Sequence, residues 1–578
     1  MSLQRARCLS VCASVALLVG CGPEAVLPSF PAGNALATRT PNASEGRALW
    51  GASVTPVGPG RVAVADTDGD TAWVIDTRSG AAAPLHFARG SRPARIAPMG
   101  EDEFAVVLRG RGEVATVHRG AVRRVVAACD EARGAAWDAA NRRLLVACAG
   151  GELVALSGAE RQVFRVGEEL RDVLVVAGRV WVTTFRSAEL LELDADGAVV
   201  TRLAPAPLLL PRLAADGPVT LSFTPRVAWR TVAVGSRVVM AHQEHLDDDV
   251  TLLTSTPAPP RTPPPYYGTG PGCGTSVVMS ALTVFDLEHR TTQSTTVVPG
   301  SLPLDVAADG ARIALVTAGS GGVQEVPWPS SASSCASVLP SVTTPTPVGV
   351  GLVDGSLVVL DHGGTVVTKG DTVRELKLRP PGGELPAPSA LFHGQSPSGV
   401  ACASCHAEGF DDGHTWRFEG GPVRTQVVAG GVTKTAPFHW RGELKNLDAL
   451  LHTTFEQRMG GVRDPALTTR ALGAWLDALP ARGGTAADVS AGEAVFQASG
   501  CGSCHAGPQL TNNATVDVGT GGAFQVPSLR GLRWRGPWMH DGCAKTLAAR
   551  FDPACGGAQH GAVAEQDVPD LIQYLESL

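Results

Sequence analysis

The chain has 578 residues, of which 44% are hydrophobic and only 18% are charged. At roughly 150 residues per domain this length excludes a single small module, and the composition excludes a generally disordered chain. A formal net charge of −7 without a long Lys/Arg run argues against nucleic acid as a partner.

The N-terminus has the layout of a secretory signal. Two arginines precede an apolar run from Val11 to Val19, which is too short to span a bilayer. Leu18-Val19-Gly20-Cys21 resembles a bacterial lipobox, which predicts a signal peptide over 1–20, a lipidated Cys21 and a tether over 21–44. The chain is therefore expected to be exported to the cell envelope, at the outer membrane or facing the periplasm, with the lipid as its membrane contact. An ordinary signal peptide cut elsewhere is the alternative.

Short β-branched runs separated by turn residues recur from 45 to 380, among the chain's 67 glycines and 42 prolines. Seven of these runs begin near residues 62, 104, 144, 180, 238, 313 and 357. Outside the insertions, their steps approach the roughly 40–50 residues of a propeller blade, which predicts an all-β propeller of about seven blades. The spacing resembles YVTN-type propellers of bacterial surface and periplasmic proteins. Two packed β-sandwiches are the alternative.

The 13 cysteines separate into groups. Two lie in the signal segment, Cys21 takes the lipid, and four belong to two Cys-x-x-Cys-His motifs. In an oxidising compartment the other six are expected to pair, although other pairings and free thiols remain alternatives. Proximity along the chain favours the disulfides Cys129–Cys148, Cys273–Cys335 and Cys543–Cys555.

After a Pro-Gly-rich connector near residue 381, strand patterns give way to helical ones. Segments 464–479 and 565–578 both carry apolar residues at i, i+3, i+4 spacing. Each closes a unit that contains one Cys-x-x-Cys-His motif. The pattern predicts two small all-α domains related by internal duplication, over 385–480 and 485–578.

Cys402-Ala-Ser-Cys405-His406 and Cys501-Gly-Ser-Cys504-His505 have the form of c-type haem attachment motifs. Two thiols one helical turn apart add to the haem vinyl groups, and the adjacent His reaches the iron. The sequence therefore predicts two covalently bound haem c groups, with His406 and His505 as iron ligands. A redox dithiol beside an incidental His is the alternative.

Each unit resembles a cytochrome c fold, in which the second iron ligand lies in the loop before the last helix. The resemblance implies Met459 as this ligand in the first unit and His560 in the second. A core-filling thioether and a surface imidazole are their alternative roles. The rival ligands are His414, His439, His452 and His540.

Residues 385–578 also resemble the bacterial dihaem cytochrome c peroxidase and MauG superfamily. The motifs that carry this resemblance are Pro527-Ser-Leu-Arg530, Pro537-Trp-Met-His-Asp-Gly542 and Phe438-His-Trp-Arg-Gly-Glu443. The resemblance implies that Trp440 lies between the two haems and takes part in catalysis, with core packing as the alternative. The charged residues around Trp440 differ from the family pattern.

The arginines of the second unit are candidates for binding haem propionates, because a guanidinium pairs with a carboxylate through two hydrogen bonds. Arg530 is the first choice, and Arg533 and Arg535 are the others. A solvated basic turn is the alternative.

Two protein ligands on each iron leave no place for substrate, so they predict the transfer of single electrons. The chain is therefore expected to be a dihaem electron-transfer cytochrome whose propeller docks a redox partner protein. A peroxidase or MauG-like oxidoreductase acting on hydrogen peroxide is the alternative, with Glu456 or Gln457 as polar groups over the first iron. A second alternative is a propeller binding module with ancillary haems.

Overall fold

Seven antiparallel β-sheets follow one another from Val54 to Lys377 in the computed structural model. The innermost strand of each sheet contacts the innermost strand of the next sheet, and the seventh contacts the first. This closed ring confirms the predicted seven-bladed propeller and excludes two β-sandwiches. The structure describes residues 47–167, 169–214, 217–253, 276–328, 333–336, 338–380, 385–464, 467–484 and 488–578.

Six blades have four strands each, paired in succession. These strands are Val54–Gly58, Arg61–Asp66, Thr71–Asp76 and Ala82–His86 in blade 1; Pro93–Gly100, Glu103–Leu108, Glu113–His118 and Ala121–Ala127 in blade 2; Ala132–Asp138, Arg143–Cys148, Glu152–Ser157 and Glu160–Arg165 in blade 3; Leu170–Val176, Arg179–Thr184, Leu190–Leu193 and Val199–Leu203 in blade 4; Asp305–Ala308, Arg312–Thr317, Gly322–Pro327 and Val342–Thr343 in blade 6; and Pro347–Val353, Ser356–Asp361, Thr365–Lys369 and Val373–Lys377 in blade 7. In these six blades the β-branched runs found in the sequence form the second strand. That strand is buried on both faces, so it reads as a continuous apolar run.

Blade 5 differs from the others because it has six strands and extends toward the C-terminal residues. Its strands are Leu208–Ala214, Gly217–Val234, Arg237–Leu246, Val278–Asp286, Thr291–Val298 and Ser333–Cys335. The register of the second strand shifts between Arg226 and Arg230, around a bulge at Val227. The part before the bulge forms an arm that pairs with Leu208–Ala214 beyond the blade.

We call residues 385–484 the first half and 488–578 the second half. Their α-helices are Ala387–His393, Cys402–Cys405, Leu447–Leu450, Thr469–Asp477, Ser490–Ala498 and Val568–Ser577, and Leu451–Arg458 is a π-helix. Short 3-10 turns are Arg109–Arg111, Val250–Leu253 and Ala318–Ser320 in the propeller, and Ala407–Gly409, Val432–Thr435, Cys501–Ser503, Leu532–Trp534, Ala548–Phe551, Pro553–Cys555, Gly557–His560 and Glu565–Asp567 in the two halves. The amphipathic segments at 464–479 and 565–578 contain helices, as predicted.

The expectation of two all-α domains is wrong, because each half also contains a β-hairpin. The hairpins are Thr415–Phe418 with Gly421–Arg424, and Thr515–Asp517 with Ala523–Gln525. Their strands contain β-branched and aromatic residues, and glycine-rich turns join them. Such short strands do not show a long alternating pattern in the sequence.

The two halves exchange backbone hydrogen bonds in a reciprocal pattern. The amide of Arg424, at the end of the first hairpin, donates to the carbonyl of His540 at 2.6 Å. The amide of Gln525, at the end of the second hairpin, donates to the carbonyl of Trp440 at 2.7 Å. Each hairpin therefore pairs with a loop of the other half, and Trp440 and His540 occupy equivalent positions.

The first half also shares a hydrophobic core with the propeller. This core includes Leu302 and Leu360 of the propeller together with Ala403, Ala407 and Trp475 of the first half. In the part of the chain that the structure describes, no helix is long and apolar enough to cross a membrane.

The predicted disulfides Cys129–Cys148 and Cys543–Cys555 are present. Cys273 lies outside the described residues, so its bond to Cys335 stays a prediction. The signal peptide, the tether and Cys21 also lie outside the described residues.

Candidate functional site

A cavity of about 810 Å³ reaches both Cys-x-x-Cys-His motifs. It is lined by the eight residues that the sequence assigns to haem attachment and iron ligation. These are Cys402, Cys405, His406 and Met459, which we call the first site, and Cys501, Cys504, His505 and His560, which we call the second site. Residues more than 50 positions apart in the sequence therefore meet at one space.

In the second site, the imidazoles of His505 and His560 lie next to each other. Their ring centres are 6.3 Å apart and their planes differ by 33°. Two imidazoles bound to opposite faces of one metal ion, each with a metal–nitrogen distance of about 2.0–2.1 Å, have ring centres roughly 6 Å apart. The separation therefore fits two axial ligands on one iron. A Cβ atom built on Gly561 would lie 3.9 Å from Cys501 Sγ, so the His560 loop lies against the thiols.

The hydrogen bonds of the second site leave both imidazoles available. Nδ1 of His505 pairs with the carbonyl of Leu510 at 3.2 Å, which directs Nε2 into the cavity. His560 Nδ1 is buried without a hydrogen-bond partner, and Arg550 holds the His560 carbonyl. Burial, followed by the positive charge of Arg550, lowers the pKa of His560 to about 3. Burial also lowers the pKa of His505. A lowered pKa favours the neutral imidazole, which is the form that binds a metal.

In the first site, Met459 lies beside the two thiols. It follows the π-helix Leu451–Arg458, and its amide donates to the carbonyl of Thr454, five residues earlier, at 3.0 Å. π-Helical turns are rare and are often found at functional sites. The Met459 side chain is only 3% exposed and belongs to a hydrophobic cluster that Cys402 and Cys405 also contact.

The arm of blade 5 forms one wall of this cluster. The cluster includes Phe223 of the arm together with Leu246 and Val277 of the same blade. Val277 also lines the cavity. The side-chain Nε2 of Gln243 donates to the carbonyl of Ser404, inside the Cys402–His406 motif, at 3.2 Å. The propeller therefore supplies part of the first site, which spacing along the sequence does not reveal.

Trp440 lines the cavity, as the family resemblance implies for a residue between the sites. Its indole Nε1 donates to the carbonyl of Arg424 at 2.7 Å, which fixes the ring. The ring centre of His540 lies 6.3 Å from that of Trp440, and His540 stacks on Phe524 at 3.8 Å. His540 is thus the counterpart of Trp440. The 100-residue offset between their motifs, visible in the printed sequence, is the signal that could have shown this.

Several residues named from the sequence lie away from the cavity. His452, Glu456 and Gln457 form an exposed hydrogen-bonded group with Arg463. The residues of this π-helix that line the cavity include Thr454, whose hydroxyl is buried without a hydrogen-bond partner, and Arg458. No pattern in the sequence distinguishes Thr454 from its neighbours.

Of the other candidate ligands and propionate partners, some line the cavity and some do not. His414 is buried against blade 5, where its Nε2 contacts the carbonyl of Leu246 at 2.9 Å. His439 lines the cavity, but its Nδ1 pairs with Glu443. Arg530 points to the carbonyl of Pro508 at 3.2 Å outside the cavity, whereas Arg535 lines it. Arg535 is therefore better placed than Arg530 to meet a propionate.

The donor set of both sites fits haem c. The four thiols of the motifs are not paired in disulfides. In the described residues, no three His, Cys, Asp or Glu side chains converge as ligands of a bare metal ion. Single imidazoles and a thioether suit the two axial positions of a haem iron. When bound at these motifs, haem supplies a one-electron couple at each of them.

Comparison with known proteins agrees with this chemistry. No family model matches the chain. The methylamine utilization protein MauG of Methylorubrum extorquens is 30% identical over 122 residues, which cover 16% of this chain and 35% of that protein. The chain is similar to MauG. The resemblance predicted from the motifs of residues 385–578 is thereby confirmed, although the match spans only about a third of that relative.

Solved structures with similar folds match more of the chain. Hydrazine synthase of Kuenenia stuttgartiensis has a TM-score of 0.40 and 13% identity, covering 60% of this chain and 99% of that one. The dihydro-haem d1 dehydrogenase NirN, solved with DHE, has a TM-score of 0.34 and 16% identity, covering 57% and 67%. The WD40 β-propeller domain of Doa1 has a TM-score of 0.38 and 9% identity, covering 57% and 93%. These values assign no ligand, reaction or partner to the present chain.

Proposed function

We propose that the chain is an exported dihaem c-type electron-transfer protein. Haem c would be attached through Cys402 and Cys405 and through Cys501 and Cys504. The observation that carries the proposal is the pair of adjacent imidazoles of the second site, His505 and His560, whose ring centres are 6.3 Å apart. If both imidazoles bound the second haem iron, that iron would have no place for substrate and would only exchange electrons.

The residues around the sites suit this function. Met459 would close the first iron in the same way, since its thioether is buried beside the thiols. Trp440 and His540 supply aromatic rings where the two halves meet. Apolar side chains of blade 5 pack with Met459, Cys402 and Cys405 of the first site. A redox partner protein would deliver or accept the electrons.

Visible and EPR spectra of the purified, oxidised protein test this proposal. We expect two low-spin ferric signals, one from a His–Met site and one from a His–His site. Addition of hydrogen peroxide to the half-reduced protein should then give only slow oxidation. A high-spin signal in the resting or half-reduced protein would contradict the proposal.

The second candidate function is a peroxidase or MauG-like oxidoreductase acting on hydrogen peroxide. The similarity to MauG favours it. It would require Met459 to leave the first iron. The buried hydroxyl of Thr454, which lines the cavity, would then be a candidate polar group for the opened position, in place of Glu456. Rapid turnover of peroxide by the half-reduced protein would establish this function instead.

Export and lipidation belong to the same proposal, because haem c is attached outside the bacterial cytoplasm. Replacing Cys21 by Ala is expected to move the protein from the membrane fraction to the soluble fraction without loss of haem, since the lipid is the proposed anchor. Immunoblots of separated fractions measure the change, and Ser29→Ala in the tether is the matched control. Cys21→Ala protein that stays in the membrane fraction would disprove the lipid anchor.

A further inference from the structure

Glu408 connects the first haem-attachment motif to the propeller. It lies two residues after His406, and it is only 6% exposed. Its Oε1 accepts hydrogen bonds from Arg109 at 2.8 Å and from Arg171 at 2.6 Å, and its Oε2 accepts a second bond from Arg109. The two arginines belong to blades 2 and 4, so one carboxylate joins two blades to the turn that carries His406.

Further guanidinium groups surround the same carboxylate. Arg133 of blade 3 lies 3.6 Å from Glu408 Oε2, and Arg482, which follows the last helix of the first half, lies 3.9 Å from it. Arg133 and Arg482 also pair with Glu169, at 2.7 Å and 3.0 Å. Loss of the Glu408 carboxylate would therefore affect Arg109 and Arg171 most, because it would leave these buried guanidinium groups without their closest anion.

The backbone at Glu408 is strained. Its φ is +57°, in the left-handed region that favours glycine. The equivalent residue of the second half, two positions after His505, is Gly507, with φ of +72°. The same turn of the second half thus uses glycine, for which this φ carries no strain. A strained residue in a buried charge network points to a specific role.

We infer that Glu408 is a positioning residue of the first site, through which the propeller holds the His406 turn and thereby orients the first iron ligand. The inference rests on the proposed function for the identity of the iron centre. On this inference, the arginines of blades 2, 3 and 4 form ion pairs with Glu408, a carboxylate of the chain itself. A partner protein would then have to dock elsewhere, which argues against the propeller as a separate binding module with ancillary haems.

The test compares Glu408→Gln and Glu408→Gly in the full-length, haem-loaded protein. The first variant removes the charge and keeps the length of the side chain, and the second copies the unstrained turn of the second half. Both are expected to raise amide hydrogen exchange in peptides from 407–430 by about tenfold or more, with no change in the equivalent peptides from 506–530. Both should also shift the reduction potential of the first site and leave that of the second site unchanged.

Glu160→Gln, at an exposed position of blade 3, is the matched control and should alter neither readout. If Glu408→Gly keeps wild-type exchange and potential, the carboxylate has no positioning role and the inference is wrong. If a variant does not accumulate, Arg171→Lys, which keeps the charge and alters the contact geometry, should give a smaller change in the same peptides. A wild-type protein without haem at the first site would refute the proposed function, while the exchange of 407–430 would still test the role of Glu408.

Discussion

Replacing Cys501 and Cys504 together by Ala is expected to leave one covalently bound haem per chain instead of two. The two motifs bind through separate thiol pairs, and each pair lies beside its own histidine in the shared cavity. Loss of one pair therefore removes one attachment and leaves the other intact. Extraction with acidified acetone followed by a pyridine haemochrome assay counts the haem that stays on the protein.

The reciprocal variant, with Cys402 and Cys405 replaced by Ala, should also keep one haem. It is the stricter case, because these thiols belong to the cluster formed with blade 5, and their loss also perturbs that contact. The control is the variant in which Ala replaces both Cys129 and Cys148. That disulfide lies within the propeller, so its loss should leave two haems per chain. Wild-type protein that releases its haem into the solvent would contradict covalent attachment at both motifs.

The second large effect is expected from the distal ligands. Met459→Ala should make the first site high-spin and abolish the long-wavelength charge-transfer band of a thioether-ligated ferric haem, and it should open a position for peroxide. His560→Ala should make the second site high-spin in the same way. A thioether favours Fe(II) and a second imidazole favours Fe(III), so the first site should have the higher reduction potential. Visible spectra, EPR and a redox titration measure these changes.

His452→Ala is the control for both variants. This histidine also precedes the last helix of the first half, but it is exposed and bonded to Glu456, so its loss should leave the spectra unchanged. Loss of the charge-transfer band in His452→Ala would contradict the assignment of Met459 as the second ligand of the first iron. If the half-reduced wild-type protein already reduces peroxide at rates of about 1–10³ per second, in the usual enzyme range, the peroxidase function replaces electron transfer.

The two sites differ in how the last ligand is held. Met459 follows a π-helix and is packed by residues of the propeller arm. His560 is the last residue of the 3-10 turn Gly557–His560, which comes after Cys555, and the disulfide Cys543–Cys555 joins this region to the loop after His540. The duplicated halves have thus kept the attachment motif and the hairpin but stabilise the distal loop by different means.

Short-range patterns account for the predictions made from the sequence. The seven β-branched runs mark buried strands because a strand covered on both faces needs apolar side chains at every position. The Cys-x-x-Cys-His motifs predict haem attachment because they place two thiols and an imidazole within five residues. Fixed spacing before the last helix likewise indicated Met459 and His560. In each case the chemistry is contained within a few residues or one repeat.

The sequence by itself therefore determined the propeller and two disulfides, and it predicted the residues that meet at the cavity. Only the tertiary structure decided that Trp440 and His540 are counterparts, that Thr454 and Arg535 line the cavity in place of Glu456 and Arg530, and that Glu408 meets arginines of the propeller. These features depend on contacts between residues up to about 300 positions apart, such as Arg109 with Glu408. No local pattern records such a contact, because burial and charge pairing arise only when distant segments pack together.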